Sequence, residues 1–267
     1  MKGVAQGVTP AHRPRKRFGQ HFLHDRGVVE RIVAAISPQH ADAIVEIGPG
    51  LGALTGPLLE RVERLHVVEI DRDLAAQLRT AHSDGRVVVH EADALEFDFG
   101  ALPEGLRVVG NLPYNISTPL LFRLAAFAGR LRDLHFMLQK EVVNRMVATP
   151  SSAAYGRLSV MLQYRFAMRK LFEVKPGAFR PPPKVDSGVV RLIPHPDSAL
   201  AARDEAALAR VVTTAFGKRR KQLRNALEGV ADEAQLMALD IEPSLRPENL
   251  SVADYVAIAN AITAIDR

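Results

Sequence analysis

The chain has 267 residues, of which 47% are hydrophobic and 24% are charged. This length predicts one large domain or two small ones, and the composition favours a packed core over general disorder. Because the sequence has no cysteine, it excludes disulfide frameworks, cysteine-ligated zinc and thiol nucleophiles. No uncharged apolar run approaches the roughly 20 residues of a membrane helix, and residues 1–20 lack the apolar segment of a signal peptide. We therefore expect a cytoplasmic protein with no membrane partner.

The charge is unevenly distributed along the chain. Residues 42–110 hold 13 acidic and 6 basic residues, a net charge of −7, whereas the remainder of the chain has a net charge of +12. Residues 1–20 and 206–227 are basic and contain no acidic residue. Each cluster alone is typical of a solvated surface, but two of them predict a polyanionic partner such as RNA. The candidate RNA contacts are Arg15, Lys16, Arg17, Lys218, Arg219, Arg220, Lys221 and Arg224.

Short β-branched runs recur at intervals of 20 to 27 residues through the first half of the chain. The stretches between them have helical apolar spacing, which predicts βαβ units, a parallel sheet and helices on both faces. The predicted strands are Ala43–Gly48, Leu65–Ile70, Arg86–His90, Leu106–Gly110 and Asp133–Leu138.

After Gln139 the pattern changes. The segment KEVVNRMVA predicts a helix, and YGRLSVMLQYRF fits either a helix or a strand. LFEV and SGVVRLI predict an antiparallel hairpin at the edge of the sheet, joined by the stiff proline-rich loop Lys175–Val185. Residues 193–199 are typical of a linker, and the sequence from Asp204 predicts helices, of which the last begins near a capping box of Ser251 and Asp254. We therefore expect an N-terminal basic arm (1–17), an α/β domain (18–195) and a small all-helical domain (200–267).

Four polar side chains lie at or near the carboxyl ends of consecutive predicted strands: Glu46, Glu69, Asp93 and Asn111. In an open α/β sheet these ends line the ligand crevice. Between the first two lies a glycine-rich turn with Gly48 and Gly50, which lets the backbone approach a ligand closely. The first two features suit a dinucleotide as well, but all four suit S-adenosylmethionine, which has a diol, an adenine amine and a cationic centre but no phosphate.

Asn111-Leu112-Pro113-Tyr114 has the form of the Asn/Asp-Pro-Pro-Tyr motif of methyltransferases that modify exocyclic amines. The lone pair of such an amine is delocalised into the purine ring. Hydrogen bonds from the amine to the Asn111 side-chain oxygen and to a backbone carbonyl near Leu112 and Pro113 would orient that lone pair. Tyr114 offers a stacking face for a base taken out of its helix.

These motifs resemble the KsgA family of ribosomal RNA adenine dimethyltransferases over roughly residues 14–265. The segments that carry the resemblance are KRFGQ, EIGPGLGALT, GNLPYNIS, LQKEVVNRM, YGRLSV, FRPPPKVDSGVVRL and KRRKQLRN. The resemblance implies a Rossmann-like S-adenosylmethionine-dependent methyltransferase domain with a helical RNA-binding domain after it. It also implies dimethylation of two adjacent adenosines in the 3′-terminal hairpin of small-subunit (16S) rRNA, within the pre-30S particle.

Carried over by position, the resemblance also implies particular site residues. Cofactor contacts fall on His21, Leu23, Gly48, Glu69, Asp93 and Asn111, with Glu46 and Gly50 in the same set. His21 replaces the family's usual asparagine, so its role differs in reach and pH response. Phe179 resembles a second aromatic against the target adenine, although a packed loop residue has the same pattern. We expect no metal site, and a monomer away from the ribosome.

Three alternatives remain open at this point. The erythromycin-resistance class methylates an adenine of large-subunit rRNA and shares the motif type, although the RPPPKVDSGVVRL string and the C-terminal basic segment favour the small-subunit function. A non-catalytic assembly factor would retain the fold without the chemistry. An NAD-dependent oxidoreductase is disfavoured because no phosphate-binding or hydride-handling residue stands out.

Overall fold

A seven-stranded sheet forms the centre of the computed structural model, which describes residues 20–265. The described residues form nine strands, seven in this sheet and two, β1 and β8, in a separate small sheet. They are β1 (Phe22–Leu23), β2 (Ile44–Ile47), β3 (Leu65–Glu69), β4 (Val87–Glu91), β5 (Leu106–Asn111), β6 (Leu131–Gln139), β7 (Phe166–Val174), β8 (Phe179–Arg180) and β9 (Ser187–Pro194). The helices are α1 (Arg26–Ile36), α2 (Thr55–Leu59), α3 (Arg72–Ala81), α4 (Ser117–Ala125), α5 (Lys140–Met146), α6 (Arg157–Arg165), α7 (Glu205–Gly217), α8 (Leu223–Ala226), α9 (Glu233–Met237) and α10 (Val252–Ile265).

The strand order in the sheet is β4-β3-β2-β5-β6-β9-β7. The five predicted runs form β2 to β6, and all pairs among them are parallel, which confirms the predicted α/β fold. The chain builds outward from β2 to β4 and then returns to β5 beside β2. A switch point therefore lies between β2 and β5, where open α/β sheets bind their ligands.

The predicted antiparallel hairpin is present and closes one edge of the sheet. β9 pairs antiparallel with both β6 and β7, so β9 joins the hairpin to the parallel strands and β7 is the edge strand. The ambiguous segment divides at Arg165, where α6 ends and β7 begins. β1 and β8 form a separate two-stranded sheet that ties Leu23 to Phe179.

Both faces of the sheet are covered. In β2, Val45 and Ile47 pack into one core cluster and Ile44 packs into the other, as alternation along a strand requires. α1 covers the second face because Val29, Ile32, Val33 and Ile36 share one side of the helix. The Asp25 side chain caps α1 by accepting a hydrogen bond from the Val28 N–H at 3.0 Å.

A third core cluster joins the C-terminal helices to the end of the preceding segment. It contains Tyr155, Val160 and Tyr164 together with residues of α7, α8 and α10. Since α6 contributes to this cluster, the C-terminal helices pack directly on the α/β part of the molecule. The capping box before α10 is confirmed, with Ser251 N–H to Asp254 at 2.8 Å and Asp254 N–H to the Ser251 hydroxyl at 3.2 Å.

The structure corrects two local predictions. The segment RRKQLRNALEG forms a helix only at Leu223–Ala226, because the backbone turns at residues 218–221. The predicted linker at residues 193–199 contains the end of β9 and a short 3-10 turn, Asp197–Ala199.

A buried ion network lies at the amino ends of the strands, opposite the switch-point crevice. The Arg107 guanidinium bonds Asp133 at 2.8 Å and Asp42 at 2.7 Å, and Arg191 adds a bond to Asp133 at 3.0 Å. Burial alone would raise the pKa of Asp133, but the hydrogen bond from Arg107 and the neighbouring positive charges lower it. The network therefore holds a charged cluster between β5 and β6 far from the crevice.

Candidate active site

A cavity of about 280 Å³ lies at the carboxyl ends of β2, β3, β4 and β5. Every residue predicted to contact the cofactor lines it, as does the whole Asn111–Tyr114 turn. The predicted cofactor residues in this wall are His21, Leu23, Glu46, Gly48, Gly50, Glu69, Asp93 and Asn111.

The turn after β2 requires glycine. Gly48, Gly50 and Gly52 have φ angles of +65°, +58° and +82°, in the region where residues with a Cβ atom are strained. At Gly50 a Cβ atom would also lie 3.0 Å from the Phe22 ring. The glycines therefore shape the wall of the cavity and allow Phe22 to pack against it.

Glu46 is a buried acid in a strand that is otherwise apolar. Only 2% of its surface is exposed, and its carboxyl accepts a 2.7 Å hydrogen bond from the Thr55 hydroxyl. Burial raises the pKa of Glu46 to about 7, the Thr55 hydrogen bond opposes this rise, and the charge of Glu69 adds to it. Glu46 consequently changes its charge near neutral pH.

Glu69 is the last residue of β3 and lines the cavity beside Glu46. Its carboxylate accepts hydrogen bonds from the Gly50 N–H at 3.2 Å and from the Asp71 N–H at 2.9 Å. Burial raises the pKa of Glu69, while these backbone hydrogen bonds act in the opposite direction. The bond to Gly50 fixes the glycine turn against β3.

The charge of the cavity wall is negative. Asp93 lies beyond β4, where its carboxylate accepts the Leu95 N–H at 2.8 Å. Together with Glu46 and Glu69 it gives the wall three carboxyl groups, and among residues 20–265 no lysine or arginine contributes to the lining. Such a wall favours a cation and disfavours a pyrophosphate.

The turn after β5 presents Asn111 to the cavity in one orientation. The Asn111 side-chain nitrogen donates a 3.0 Å hydrogen bond to the backbone carbonyl of His21. The turn is also held from β6, because the Leu112 N–H donates to the Met137 carbonyl at 3.1 Å. Before it, Gly110 passes so close to β2 that a Cβ atom would lie 2.5 Å from the Ile47 carbonyl oxygen.

Tyr114 lies at the end of this turn and is half-buried. Its hydroxyl lies 2.8 Å from the Ser187 hydroxyl, and its ring centroid lies 5.8 Å from that of His21. Burial raises the pKa of Tyr114, and the hydrogen bond with Ser187 lowers it. The His21 ring in turn donates through Nδ1 to the Pro181 carbonyl at 2.8 Å, which links the proline-rich loop to the cavity.

Phe179 differs from the other predicted site residues. It is 3% exposed, packs in the core cluster beneath α1, and does not line the cavity. Its neighbour Arg180 points to solvent. In this arrangement Phe179 holds β8 against β1, and a contact with an incoming base would require the loop to move.

The predicted RNA contacts of the C-terminal region fall into two groups. Three have acidic partners: Lys218 with Glu228 at 3.4 Å, Arg219 with Glu248 at 3.5 Å and Arg224 with Glu233 at 3.6 Å. Arg220 and Lys221 are exposed and form no ion pair with any residue in the range 20–265. Arg15, Lys16 and Arg17 lie outside the described residues.

Sequence reasoning missed several residues around the cavity. The Ser187 hydroxyl bonds Tyr114, which is distant in sequence, and the Thr55 hydroxyl bonds Glu46, which is on another element. Arg180 and Lys184 are exposed on the loop that His21 contacts and, within the described part of the chain, lack ion-pair partners. A search for basic residues flanking the proline run would have found the last two.

Within residues 20–265 there is no group of three or more histidine, aspartate or glutamate side chains arranged to hold a metal ion. No helix in the same range has the length and apolar character needed to cross a bilayer.

Comparisons with known proteins identify the same family that the sequence motifs resemble. Residues 11–264 match the family model described as ribosomal RNA adenine dimethylase. The chain is 62% identical over 253 residues to ribosomal RNA small subunit methyltransferase A of Aromatoleum aromaticum, covering 95% of this chain and 96% of that protein. It is 59% identical over 269 residues to the protein of the same name from Ralstonia nicotianae, covering 99% of this chain and 95% of that protein.

Solved structures extend the likeness to the three-dimensional level. A dimethyladenosine transferase from Plasmodium falciparum superposes with a TM-score of 0.79 at 25% identity, covering 89% of this chain and 96% of that one. The 23S rRNA methyltransferase ErmE superposes with a TM-score of 0.68 at 25% identity, covering 91% and 99%. The resemblance predicted from the sequence is confirmed: this chain belongs to the ribosomal RNA adenine dimethylase family.

Proposed function

We propose that this chain is an S-adenosylmethionine-dependent methyltransferase that dimethylates the exocyclic amines of two adjacent adenosines in the 3′-terminal hairpin of small-subunit rRNA. The observation that carries the proposal is the Asn111–Tyr114 turn, which opens into the same acidic cavity as Glu46, Glu69 and Asp93. Membership of the family and the names of the relatives at about 60% identity support the same reaction on the small subunit.

The residues of the cavity fit the cofactor. Three carboxyl groups, with no lysine or arginine among the lining residues in the part of the chain that the structure describes, suit a ligand that carries a sulfonium and an amino group. Glu69 and Asp93, at the ends of neighbouring strands, are placed to accept hydrogen bonds from a ribose diol and an adenine amine. When bound, S-adenosylmethionine would supply an electrophilic methyl group; the substrate nitrogen would gain an N–C bond and release one proton to solvent, and the sulfonium would become a neutral thioether.

Asn111 orients the nucleophile. Because its side-chain nitrogen donates to the His21 carbonyl, its side-chain oxygen is left to accept an N–H of the substrate amine. Accepting that bond directs the nitrogen lone pair toward the cavity and favours the pyramidal geometry that the product requires. Holding the amine in this orientation accounts for a large part of the rate without covalent catalysis.

Tyr114 and His21 pack against each other beside the cavity, with ring centroids 5.8 Å apart and planes inclined by 32°. This spacing is too small for a base to enter between the two rings, so the proposed slot for the extruded base is the cavity-facing side of the Tyr114 ring, next to His21. The bond of His21 to Pro181 makes its side chain a support for the proline-rich loop, and we assign His21 to this slot in addition to the cofactor cavity. Phe179 stays a predicted second aromatic, which acts only if its loop moves out of the core.

We infer that RNA is held by exposed cations around the cavity and on the helical region. Arg220 and Lys221 on the C-terminal side and Arg180 and Lys184 on the loop near the slot are free to contact phosphates. Division of the chain into an arm (1–17), a methyltransferase domain (18–195) and a helical domain (200–267) remains part of the proposal. We further propose a cytoplasmic monomer that acts on the pre-30S particle.

The large-subunit reaction is the second candidate, since ErmE has a similar fold. Only this similarity of fold supports it, and the dimethyladenosine transferase from Plasmodium falciparum superposes better, with a TM-score of 0.79 against 0.68. Relatives at about 60% identity over nearly the whole chain carry the small-subunit name. The third candidate, a non-catalytic assembly factor, leaves the hydrogen-bonded Asn111 and the acidic cavity without a use.

The test is to incubate the protein with methyl-labelled S-adenosylmethionine and separated small and large subunits from cells that lack this modification. We expect label in small-subunit RNA and none with the Asn111→Ala variant. Label in large-subunit RNA alone would favour the second candidate, and subunit binding without label would favour the third.

A further inference from the structure

Tyr114 is anchored at its hydroxyl by a buried serine from β9, two strands away from β5 in the sheet. The Ser187 hydroxyl lies 2.8 Å from the Tyr114 hydroxyl, and Ser187 is 0% exposed. Ser187 begins β9 and pairs with Gln139 of β6 and Val174 of β7. It therefore reaches the Tyr114 turn from a strand that contributes no residue to the cavity lining.

The backbone on both sides of Ser187 is itself fixed. The Asp186 carbonyl accepts the Lys140 N–H at 2.9 Å, and the Asp186 carboxylate is bonded by Lys175 at 2.7 Å. On the other side Gly188 packs so closely under α5 that a Cβ atom would lie 3.2 Å from Val143. Ser187 thus has little freedom to move, so its hydroxyl is a fixed reference point.

The Tyr114 side chain is held at both of its ends, at the backbone and at the hydroxyl. The backbone of Tyr114 follows the Asn111 turn, which is bonded to His21 and Met137, while its hydroxyl end meets Ser187. A ring held at both ends keeps one face toward the slot. A tyrosine held only by its backbone would sample other staggered rotamers about χ1.

We propose that Ser187 is a positioning residue for base methylation: its hydroxyl locks the Tyr114 ring in the orientation that stacks the target adenine. This inference rests on the proposed function, because it assigns Tyr114 to the base slot. The role is distinct from cofactor binding, since Ser187 lies outside the cavity wall.

The proposal is tested by a double-mutant cycle of Ser187→Ala and Tyr114→Phe under single-turnover conditions with small subunits as substrate. Since one positioning hydrogen bond is worth about 1 kcal/mol, Ser187→Ala should lower the rate constant about fivefold to tenfold in the native background. In the Tyr114→Phe background, Ser187→Ala should have no further effect, because the hydroxyl partner is already gone. The dissociation constant for S-adenosylmethionine should change less than about twofold in all three variants.

Two further variants separate positioning from general damage. Ser187→Thr retains the hydroxyl and adds one methyl group at a fully buried position; with its folding checked by denaturant titration, it should recover more of the rate than Ser187→Ala. Ser159→Ala removes another fully buried serine hydroxyl, which bonds the Gly156 N–H at 3.0 Å on α6, and its effect on the rate should be the same with Tyr114 or Phe at position 114.

A spectroscopic measurement tests the contact without any RNA. Among the four tyrosines, the NMR signal of ring-labelled Tyr114 is identified by its loss in Tyr114→Phe. Ser187→Ala should raise the pKa of the Tyr114 hydroxyl, because the bond with Ser187 lowers it. The proposal is overturned if that titration is unchanged, or if Ser187→Ala reduces the rate equally in both backgrounds. If the native protein methylates no small subunit, the proposed function fails while the titration still reports on the contact.

Discussion

Asn111 combines two hydrogen-bonding directions in one side chain. Its nitrogen is held by the His21 carbonyl at 3.0 Å, which assigns its oxygen to the substrate. We predict that Asn111→Ala lowers methyl transfer at least about 100-fold, because the amine is no longer oriented. RNA affinity should change little, since the phosphate contacts lie elsewhere. A filter-binding assay beside the turnover assay checks both expectations, and unchanged turnover would remove Asn111 from this role.

Glu46 makes the stability of the ligand-free protein depend on pH. Its pKa is raised from 4.5 to about 7, so the folded state binds the proton more tightly than the unfolded state. At low pH the carboxyl is neutral in both the folded and the unfolded state. As the pH rises from about 4.5 to about 7 it ionises more readily in the unfolded state, so the free energy of unfolding falls.

The corresponding prediction uses Glu46→Gln, which cannot ionise. Relative to this variant, the native protein should lose roughly 2–3 kcal/mol of unfolding free energy between pH 5 and pH 8. Denaturant titrations of both proteins at several pH values measure the difference, in which titrating groups that do not interact with Glu46 cancel. A difference that does not vary with pH would show that Glu46 keeps an ordinary pKa.

At the scale of elements, the ends of the strands have separate roles. The carboxyl ends of β2 to β5 form the cavity, whereas the amino ends hold the buried network of Arg107, Asp42 and Asp133. The second group joins β5 to β6 and to the loop before β2. It contributes to stability and has no contact with the cavity wall.

Breaking that network should destabilise the fold by about 3–5 kcal/mol, because Arg107→Met leaves Asp42 and Asp133 buried without their main partner. Arg132→Ala is the matched control. Arg132 also pairs with Asp42, at 2.7 Å, but is 57% exposed, so its loss should cost less than about 1 kcal/mol. Thermal or chemical unfolding measures both. Equal effects of the two substitutions would contradict the assignment of the stabilisation to the buried pair.

The elements that the sequence predicts well are those with strong local patterns. The five parallel strands are correct to within a few residues because their apolar, β-branched runs are a strong local pattern, and four of them, β2, β3, β5 and β6, are largely buried. The placement of β9 between β6 and β7 was not predictable locally, since pairing partners depend on tertiary contacts. The segment after α7 carries strong helix formers, yet turns at residues 218–221.

For the site, glycines and acids at strand ends were predictable, because their positions follow from the fold rule for parallel sheets. Contacts between distant segments were not. The Ser187–Tyr114 bond spans 73 positions and the His21–Pro181 bond spans 160. Phe179 shows the converse: its motif resembles a base-stacking residue, whereas the fold packs it in the core.

At the scale of the whole molecule, the charge distribution separates two binding tasks. Residues 42–110, with a net charge of −7, supply the three carboxyl groups of the cavity wall, and the remainder of the chain, with a net charge of +12, contains the cations proposed to bind RNA. Ion pairs within the chain reduce the number of cations that are available to RNA, because Lys218, Arg219 and Arg224 have acidic partners. The exposed cations that remain should dominate the salt dependence of RNA binding.

We therefore predict that Arg220→Glu with Lys221→Glu weakens RNA binding and lowers the slope of log affinity against log salt by about 1–2. Affinity for S-adenosylmethionine should not change. Arg64→Glu, compared with each of the two single variants Arg220→Glu and Lys221→Glu, is the matched control, because Arg64 is exposed at the amino end of β3, away from the cavity. Affinity measured at several salt concentrations gives the slopes, and an equal loss for the control would indicate a non-specific charge effect.

The central claim is that the acidic cavity and the Asn111–Tyr114 turn serve the dimethylation of adenosine in small-subunit rRNA. The most direct measurement maps modified nucleotides by mass spectrometry after incubating the protein and S-adenosylmethionine with unmethylated small subunits. The account predicts N6,N6-dimethyladenosine at two adjacent positions in the 3′-terminal hairpin and none with Asn111→Ala. Methyl groups on another base, on a ring carbon or in large-subunit RNA alone would contradict it.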